Sequence, residues 1–379
     1  MMKGFGAVEE SAHTTVRGIV AVAEELGVSA AQVALAWLRY RPVSVIPIIG
    51  ARKLTQIEDN IRSLDVELSP EQLQRLDKAS AVSLGFPHDF IGSRMLSELI
   101  DAGQRVLGMT RSDRSARQLE HAGAEVHRGT LEGVESITSG AAQAEPVIHT
   151  AFDHDFSRFA ENCEKDRRVI NAIGAVLAGS DRPFIITSGT GMGSPGPGHV
   201  AIEDVFDRDN PNPRRLSEVA GEEVAKRGVS VAVVRLPQIH DAKKQGLVSP
   251  AIKIARAKGF AGYIGDGANR WPVAHVTDVA RLYRLALDKH QASARWHAVA
   301  EEGVPAREVA EAIGLGLGVP VKSLSPDEAM KYFGWLGPFA QMDMPASSAF
   351  TRERLGWEPQ GPGLIQELRN MDYSSVEAQ

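Results

Sequence analysis

The sequence predicts an α/β chain: a doubly wound parallel sheet with a smaller C-terminal lobe, preceded by a helix-rich segment. Three observations carry this. From about residue 90 onward, short β-branched apolar runs alternate with stretches of helical periodicity, the pattern of a parallel sheet covered on both faces. Before that point the periodicity is mostly helical. Beyond Pro237 the alternation loosens into short elements suited to a lobe over the sheet. The boundaries expected are 1–89, 90–240 and 241–379, with room in the last stretch for the chain to return to the sheet.

In chain order, Val16, Ile19, Val20, Ala23 and Leu26 recur at helical spacing, and Gly27 is placed to stop that helix. Ser29 and Gln32 form a capping box, in which each side chain satisfies a free backbone donor, and a helix through Trp37 and Leu38 follows. Residues 43–49 read as a short buried strand, and Gly50, Ala51 and Arg52 lead to a helix carrying Leu54, Ile57, Ile61 and Leu64. Ser69, Pro70 and Gln72 start a further helix.

Gly92 opens a helix containing Met95, Leu96, Leu99 and Ile100, which Gly103 ends. Strands are expected at 105–110, 124–127, 146–150, 184–187 and 229–236. Between them lie a helix reaching His121 and a long one at 155–177 bearing Phe156, Phe159, Val169, Ile170 and Ile173. Residues 189–213, rich in Gly, Pro and Asp, should be a loop at the sheet's edge, where long loops carry function.

Composition bounds the partners. A net charge of -6 over 379 residues gives no basic field for nucleic acid or an anionic membrane. No run approaches the roughly twenty apolar residues that span a bilayer. The single cysteine, Cys163, has no intramolecular disulfide partner. No set of His, Cys and acids has metal-ligand spacing, so no metal is expected. The expectation is a cytoplasmic protein with a small-molecule substrate.

Two family resemblances follow from particular residues. The run from Ala23 to Leu38, then Ile48-Ile49-Gly50-Ala51-Arg52 and Gln56-Ile57-Glu58-Asp59-Asn60, resembles the last quarter of an aldo-keto reductase. The resemblance implies a helix-rich fragment of a (β/α)8 barrel, with Gly50, Arg52, Gln56 and Asn60 at cofactor-binding positions. An Arg beside a glycine turn at a helix start can hold an anion. The family's catalytic Asp, Tyr, Lys and His belong to earlier strands that are missing here, so a structural remnant is expected.

From residue 90 to about 368 the chain resembles the extended or atypical short-chain dehydrogenase/reductases, the NAD-dependent epimerase/dehydratase group. Phe90-Ile91-Gly92-Ser93, Val147-Ile148-His149-Thr150-Ala151, Ile186-Thr187-Ser188-Gly189-Thr190, Val234-Arg235-Leu236-Pro237 and His275-Val276-Thr277-Asp278-Val279-Ala280 carry the resemblance, in the family's order. It implies a Rossmann-like doubly wound sheet that binds NADP, or less readily NAD. Phe90, Ile91 and Gly92 would end the pyrophosphate turn, and Thr130 and Leu131 would meet the adenine. His149, Thr150 and Ala151 would line the ribose and nicotinamide, and Arg235 and Pro237 are further cofactor-binding positions. Arg111 and Ser112 follow the second strand of such a domain, where an acid would accept the ribose 2'-hydroxyl and an Arg would instead pair with a 2'-phosphate. This favours NADP. Ser188 matches the substrate-orienting serine, and with Thr190 it is the candidate catalytic hydroxyl.

Two departures stand out. Hydride-transfer members use a Tyr with a Lys four residues later, the Lys lowering the phenol's pKa for proton transfer. Here Arg214 and Glu218 match those positions, and no Tyr of the chain has a Lys four residues on. Ser188 also lacks the flanking glycines of a hydrolase elbow, so a triad with His240-Asp241 or Asp153-His154-Asp155 is not expected. The second departure is at the fingerprint. Phe86 and Asp89 stand where the first two glycines of Gly-x-x-Gly-x-x-Gly belong, and only Gly92 remains. The family's first strand is missing too, with 81–84 expected to stand in for it. The expected function is an NADP-linked oxidoreductase acting on a small carbonyl, hydroxyl or sugar-like substrate, with cofactor binding and catalysis impaired. The alternatives are a non-catalytic NADP-binding regulator and an inactive fusion product.

Overall fold

The computed structural model describes residues 6–40, 47, 49, 51, 53–79, 91–196 and 198–375. Most of the expected strand at 43–49, the stand-in strand at 81–84, and Gly50, Arg52, Phe86, Asp89 and Phe90 lie outside the described residues. The chain divides into two compact units, Met1–Leu84 and Gly85–Gln379.

In the first unit the helices are α1 (Gly6–Leu26), α2 (Ala30–Arg39), α3 (Leu54–Arg62) and α4 (Pro70–Ala79). The expected caps form. Ser29 Oγ accepts from the Gln32 amide while the Gln32 side chain returns to the Ser29 amide. Ser69 and Gln72 exchange the same pair of bonds. Val22, Ala23, Val33, Ala36, Val66, Leu68 and Leu76 make a small core. The expected helix forms, and among the described residues Leu54, Ile57, Ile61 and Leu64, the apolar stripe along α3 and the turn after it, are exposed. No described element of this unit covers them.

The second unit opens with α5 (Ser93–Asp101) and then alternates as expected: β1 (Leu107–Thr110), α6 (Asp113–His121), β2 (Glu125–Arg128), α7 (Val134–Gln143), β3 (Val147–His149), α8 (Phe159–Leu177), β4 (Pro183–Gly189), α9 (Arg215–Ala225) and β5 (Ser230–Leu236). The long helix starts later than its periodicity suggests, because Phe156–Arg158 is a separate 3-10 turn. The remaining elements are β6 (Gln238–His240), α10 (Val248–Lys258), β7 (Ala261–Ile264), β8 (Arg270–His275), α11 (Val276–Asp288), β9 (Arg295–His297), β10 (Glu301–Pro305), α12 (Ala306–Leu317), β11 (Val321–Leu324), α13 (Pro326–Phe333), α14 (Gly337–Ala340), α15 (Ala349–Leu355) and α16 (Leu364–Asn370).

The main sheet is parallel throughout, in the order β3-β4-β5-β9, so the chain does return to it late, through Arg295–His297. Strand β4 shows why its sequence is continuously apolar. Ile185 points into the layer with α11, Val279, Leu282 and Trp296, while Phe184 and Ile186 point into the opposite layer with Val169, Ile170, Ala220 and Val224. Burying one such side chain contributes about 1.5 to 3 kcal/mol. Helices α8 and α9 pack so closely that a Cβ on Gly174 would lie 2.4 Å from Val224, which is why that position carries none.

Strands β1 and β2 form a separate parallel pair. Met109 of β1 and Val147 of β3 pack on the same core cluster, yet among the described residues no strand ladder joins the pair to the set of four. The C-terminal lobe is built from β10-β8-β6 and β11-β7 around α10, α12 and α16.

Candidate functional site at the carboxyl edge of the sheet

In an open parallel α/β sheet every strand delivers its carboxyl end to one edge, and ligands bind there. Here β3, β4 and β5 bring His149, Ser188 and Arg235 to that edge, followed by Thr150, Ala151, Thr190 and Pro237. The β1 and β2 pair ends in Arg111 and, after Gly129, in Thr130.

The candidate residues divide by what their polar groups already do. Arg111 is exposed beside the start of α6, so its guanidinium is available to an anion. Ser112 caps α6, its Oγ accepting from the Ser115 amide at 3.1 Å. Thr130 Oγ1 accepts from the Gly133 amide at 3.1 Å, and Leu131 packs against the core. Gly92 stands at the N-cap of α5 with open space where a Cβ would go, which fits close approach by a ligand. Ile91 is fully buried against Ile185, Val234 and Ile239, so its side chain serves packing.

Arg235 is placed differently from the expectation. It is fully buried, and all five of its N–H groups have protein acceptors: both Glu218 oxygens, the Ile202 and Val205 carbonyls, and His297 Nε2. No donor is left for a cofactor. Glu218, at the position of the family's Lys, also pairs with Arg295 at 2.9 Å, and these guanidinium groups hold its carboxyl down against the burial that pushes it up. His297 donates Nδ1–H to the Ser347 carbonyl and accepts from Arg235, which fixes it as the neutral tautomer. Burial and the adjacent Arg235 charge bring its pKa down to about 3.

The position of the missing Tyr holds a second buried ion pair. Arg214 Nη1 lies 2.7 Å from Asp166 Oδ2, and Nη2 donates to the Thr187 carbonyl at 2.9 Å. Asp166 also accepts from Ser217 Oγ and, at 2.7 Å, from His149 Nε2. Burial pushes the Asp166 carboxyl up, but Arg214, His149 and Ser217 together hold it at about 2. An ionised carboxylate only accepts, so His149 carries its proton on Nε2. The ring is thus a hydrogen-bonded anchor at the strand end. Thr187 Oγ1 bonds the His149 carbonyl and Tyr283 Oη, closing the network; burial raises the Tyr283 phenol well above its ordinary range, so it is no proton shuttle.

The two candidate hydroxyls remain in place. Ser188 Oγ is buried and has no hydrogen-bond partner among the described residues, and Thr190 is buried beside it in sequence. Of the aldo-keto reductase positions, Gln56 caps α3 through the Lys53 amide, and Asn60 is half-buried on α3. Among the described residues no cluster of three metal-ligating side chains occurs. Sequence reading missed Asp166, which lies mid-helix with no local signal. It also missed the engagement of Arg214.

The family model described as "NAD dependent epimerase/dehydratase family" matches residues 88–299. The chain belongs to that family. The preceding residues 5–81 match the model of the "Aldo/keto reductase family" and form an aldo-keto reductase fragment. A Schizosaccharomyces pombe relative, "Uncharacterized protein C2A9.02", is 44% identical over 285 residues, covering 75% of this chain and 96% of that protein. For the fragment, "Norsolorinic acid reductase stcV" of Emericella nidulans is 37% identical over 89 residues, which is 23% of its length. Among solved structures, the Thermus thermophilus UDP-glucose 4-epimerase in complex with NAD superposes with a TM-score of 0.57 at 18% identity, covering 76% of this chain and 96% of that one. A nucleoside-diphosphate-sugar epimerase from Pseudomonas aeruginosa gives 0.58 at 16% identity, covering 73% and 91%. These establish the Rossmann fold of the second unit. Arg111 and Gly92 leave open approach for a nicotinamide dinucleotide in this epimerase/dehydratase unit, whereas Arg235, with every donor engaged, does not fit one.

Proposed function

We propose that the second unit is a cytoplasmic NADP-linked oxidoreductase acting on a small carbonyl, hydroxyl or sugar-like compound, with NAD used less readily and both cofactor binding and turnover reduced relative to intact family members. The observation that carries it is that Arg111 follows the carboxyl end of β1 in one parallel pair, while His149, Thr150, Ala151, Ser188 and Thr190 end or follow β3 and β4 in the parallel set of four. Arg111 supports NADP because a guanidinium pairs with a 2'-phosphate in a charge-assisted, bidentate way. The unpaired Ser188 Oγ supports a substrate oxygen as its partner, since a buried hydroxyl left unsatisfied costs about 1 to 3 kcal/mol.

A second reading is favoured by one specific observation. Arg214 and Glu218, at the Tyr and Lys positions, are both committed to buried ion pairs, which suits a non-catalytic NADP-binding regulator or an inactive fusion product. Thermal stabilisation by NADPH and NADH, followed by hydride absorbance with a panel of carbonyl compounds, separates these readings. Stabilisation with no turnover supports the regulator. No stabilisation by either nucleotide sinks both nucleotide readings.

A further inference from the structure

An aromatic wall stands over the carboxyl edge of β3. The segment leaving β3 carries Phe152, His154 and Phe156, and Phe159 opens α8. Across from it lie Trp335, in the turn between α13 and α14, and Phe339 of α14. The Phe156 and Trp335 rings stack at 5.5 Å and 15°, while Phe339 and Phe159 approach Phe156 at 5.6 and 5.8 Å. Phe152 meets the Phe159 ring at 6.2 Å and the His154 ring at 5.1 Å. The wall is tied to the reaction edge by Phe152, which lies under the Arg214 guanidinium at 4.1 Å. Trp335 remains 52% exposed, so a large aromatic face is left open on a surface where burial would be favourable.

The charges around this wall argue against an anionic occupant. The segment itself supplies Asp153 and Asp155. Its cations are already committed: Arg158 to Glu161 at 2.6 Å, Lys165 to Asp153 and Glu132 at 2.8 and 2.9 Å, and Arg214 to Asp166. A diphosphate would meet carboxylates and would have to compete for each guanidinium or ammonium group. A flat uncharged ring loses nothing to these pairs, and it can lie on the open face of Trp335.

We propose that Phe152, Phe156, Phe159, Trp335 and Phe339 form the substrate wall of this unit and that it takes planar, uncharged aryl carbonyl compounds in preference to nucleoside-diphosphate sugars. This rests on the oxidoreductase reading for the identity of the edge as a reaction site, but binding to the wall can be read without cofactor. The test titrates 2-acetylnaphthalene and, separately, UDP-glucose into the full chain by saturation-transfer NMR. Trp335→Ala, Phe156→Ala and the conservative Trp335→Phe are run beside the parent protein, and melting temperature confirms that each folds. The expected result is binding of the naphthyl ketone that weakens about tenfold in each Ala variant and is restored in Trp335→Phe. UDP-glucose should bind at least about tenfold more weakly than the ketone. Tighter binding of UDP-glucose, or ketone binding indifferent to both Ala substitutions, would overturn the proposal. Ketone binding to the wall without any stabilisation by NADPH would instead remove the oxidoreductase reading and leave the wall standing.

Discussion

Replacing Arg214 by Met tests the buried network at the Tyr position. Asp166 is essentially inaccessible, and Arg214 is its only fully charged cationic partner among the described residues. In the parent protein its carboxyl titrates at about 2 against an ordinary 3.8. A depressed carboxyl contributes stability above its unfolded value and loses it as pH falls from about 4 toward 2, here about 2 kcal/mol in all. Without the guanidinium the largest of the influences that hold the Asp166 carboxyl down is lost, so burial pushes its pKa up, and the variant's deficit narrows as acidification protonates the carboxyl. Removing one partner of a buried pair costs about 3 to 5 kcal/mol. Urea unfolding followed by emission from the buried Trp296 and Trp357 should show that loss at pH 7 and a shrinking difference toward pH 4. Adding Asp166→Asn should recover part of the loss, with a coupling of about 1 to 3 kcal/mol. An Arg214→Met protein within about 1 kcal/mol of the parent at pH 7, with a difference that does not vary with pH, would refute this account.

Three further outcomes are expected. Phe86→Gly combined with Asp89→Gly removes a side chain and a negative charge from fingerprint positions, and NADP affinity measured by calorimetry should rise about tenfold or more; no gain would place the lesion elsewhere. Arg111→Ala should weaken NADP by about tenfold or more while leaving NAD nearly unchanged, because only the 2'-phosphate loses a charge-assisted partner; equal effects on both would refute the assignment. His297, held at about 3, stays neutral in the fold while the unfolded chain takes up a proton near 6.5. Stability therefore falls as pH drops below about 6.5, by up to about 1.4 kcal/mol per unit. In His297→Gln the urea midpoints at pH 6 and 4.5 should converge, and a slope identical to the parent's would contradict the buried neutral tautomer.

Local chemistry made much of the fold legible. Ser29 with Gln32 and Ser69 with Pro70 and Gln72 announce their helices because a cap is satisfied within four residues. Phe184-Ile185-Ile186 announces a central strand because both faces of β4 are buried. What could not be read depends on partners far along the chain. Nothing near Asp166 signals that it will meet Arg214 and His149, and nothing near Arg235 signals that Glu218, His297 and the Ile202 and Val205 carbonyls will saturate it. Phe156 fits a helical period with Phe159, yet it sits in a separate 3-10 turn with its ring stacked on Trp335, a partner far along the chain. The stripe of Leu54, Ile57, Ile61 and Leu64 has the periodicity of a buried face but is exposed among the described residues, since periodicity reports what a helix could bury and not what packs on it.

Strands β1 and β2 are four residues each, and among the described residues they pair only with each other while Met109 packs on the main core. Arg111 and Thr130 ride on this pair, whereas His149, Ser188 and Thr190 ride on the four-stranded set. A dinucleotide that touched both would act as a clamp between them. Part of its binding free energy would go into seating the pair, and its apparent affinity would fall with the fraction of molecules in which the pair was not already seated. Under the proposed NADP-binding reading, the tightness of cofactor binding would then measure how firmly that pair is held.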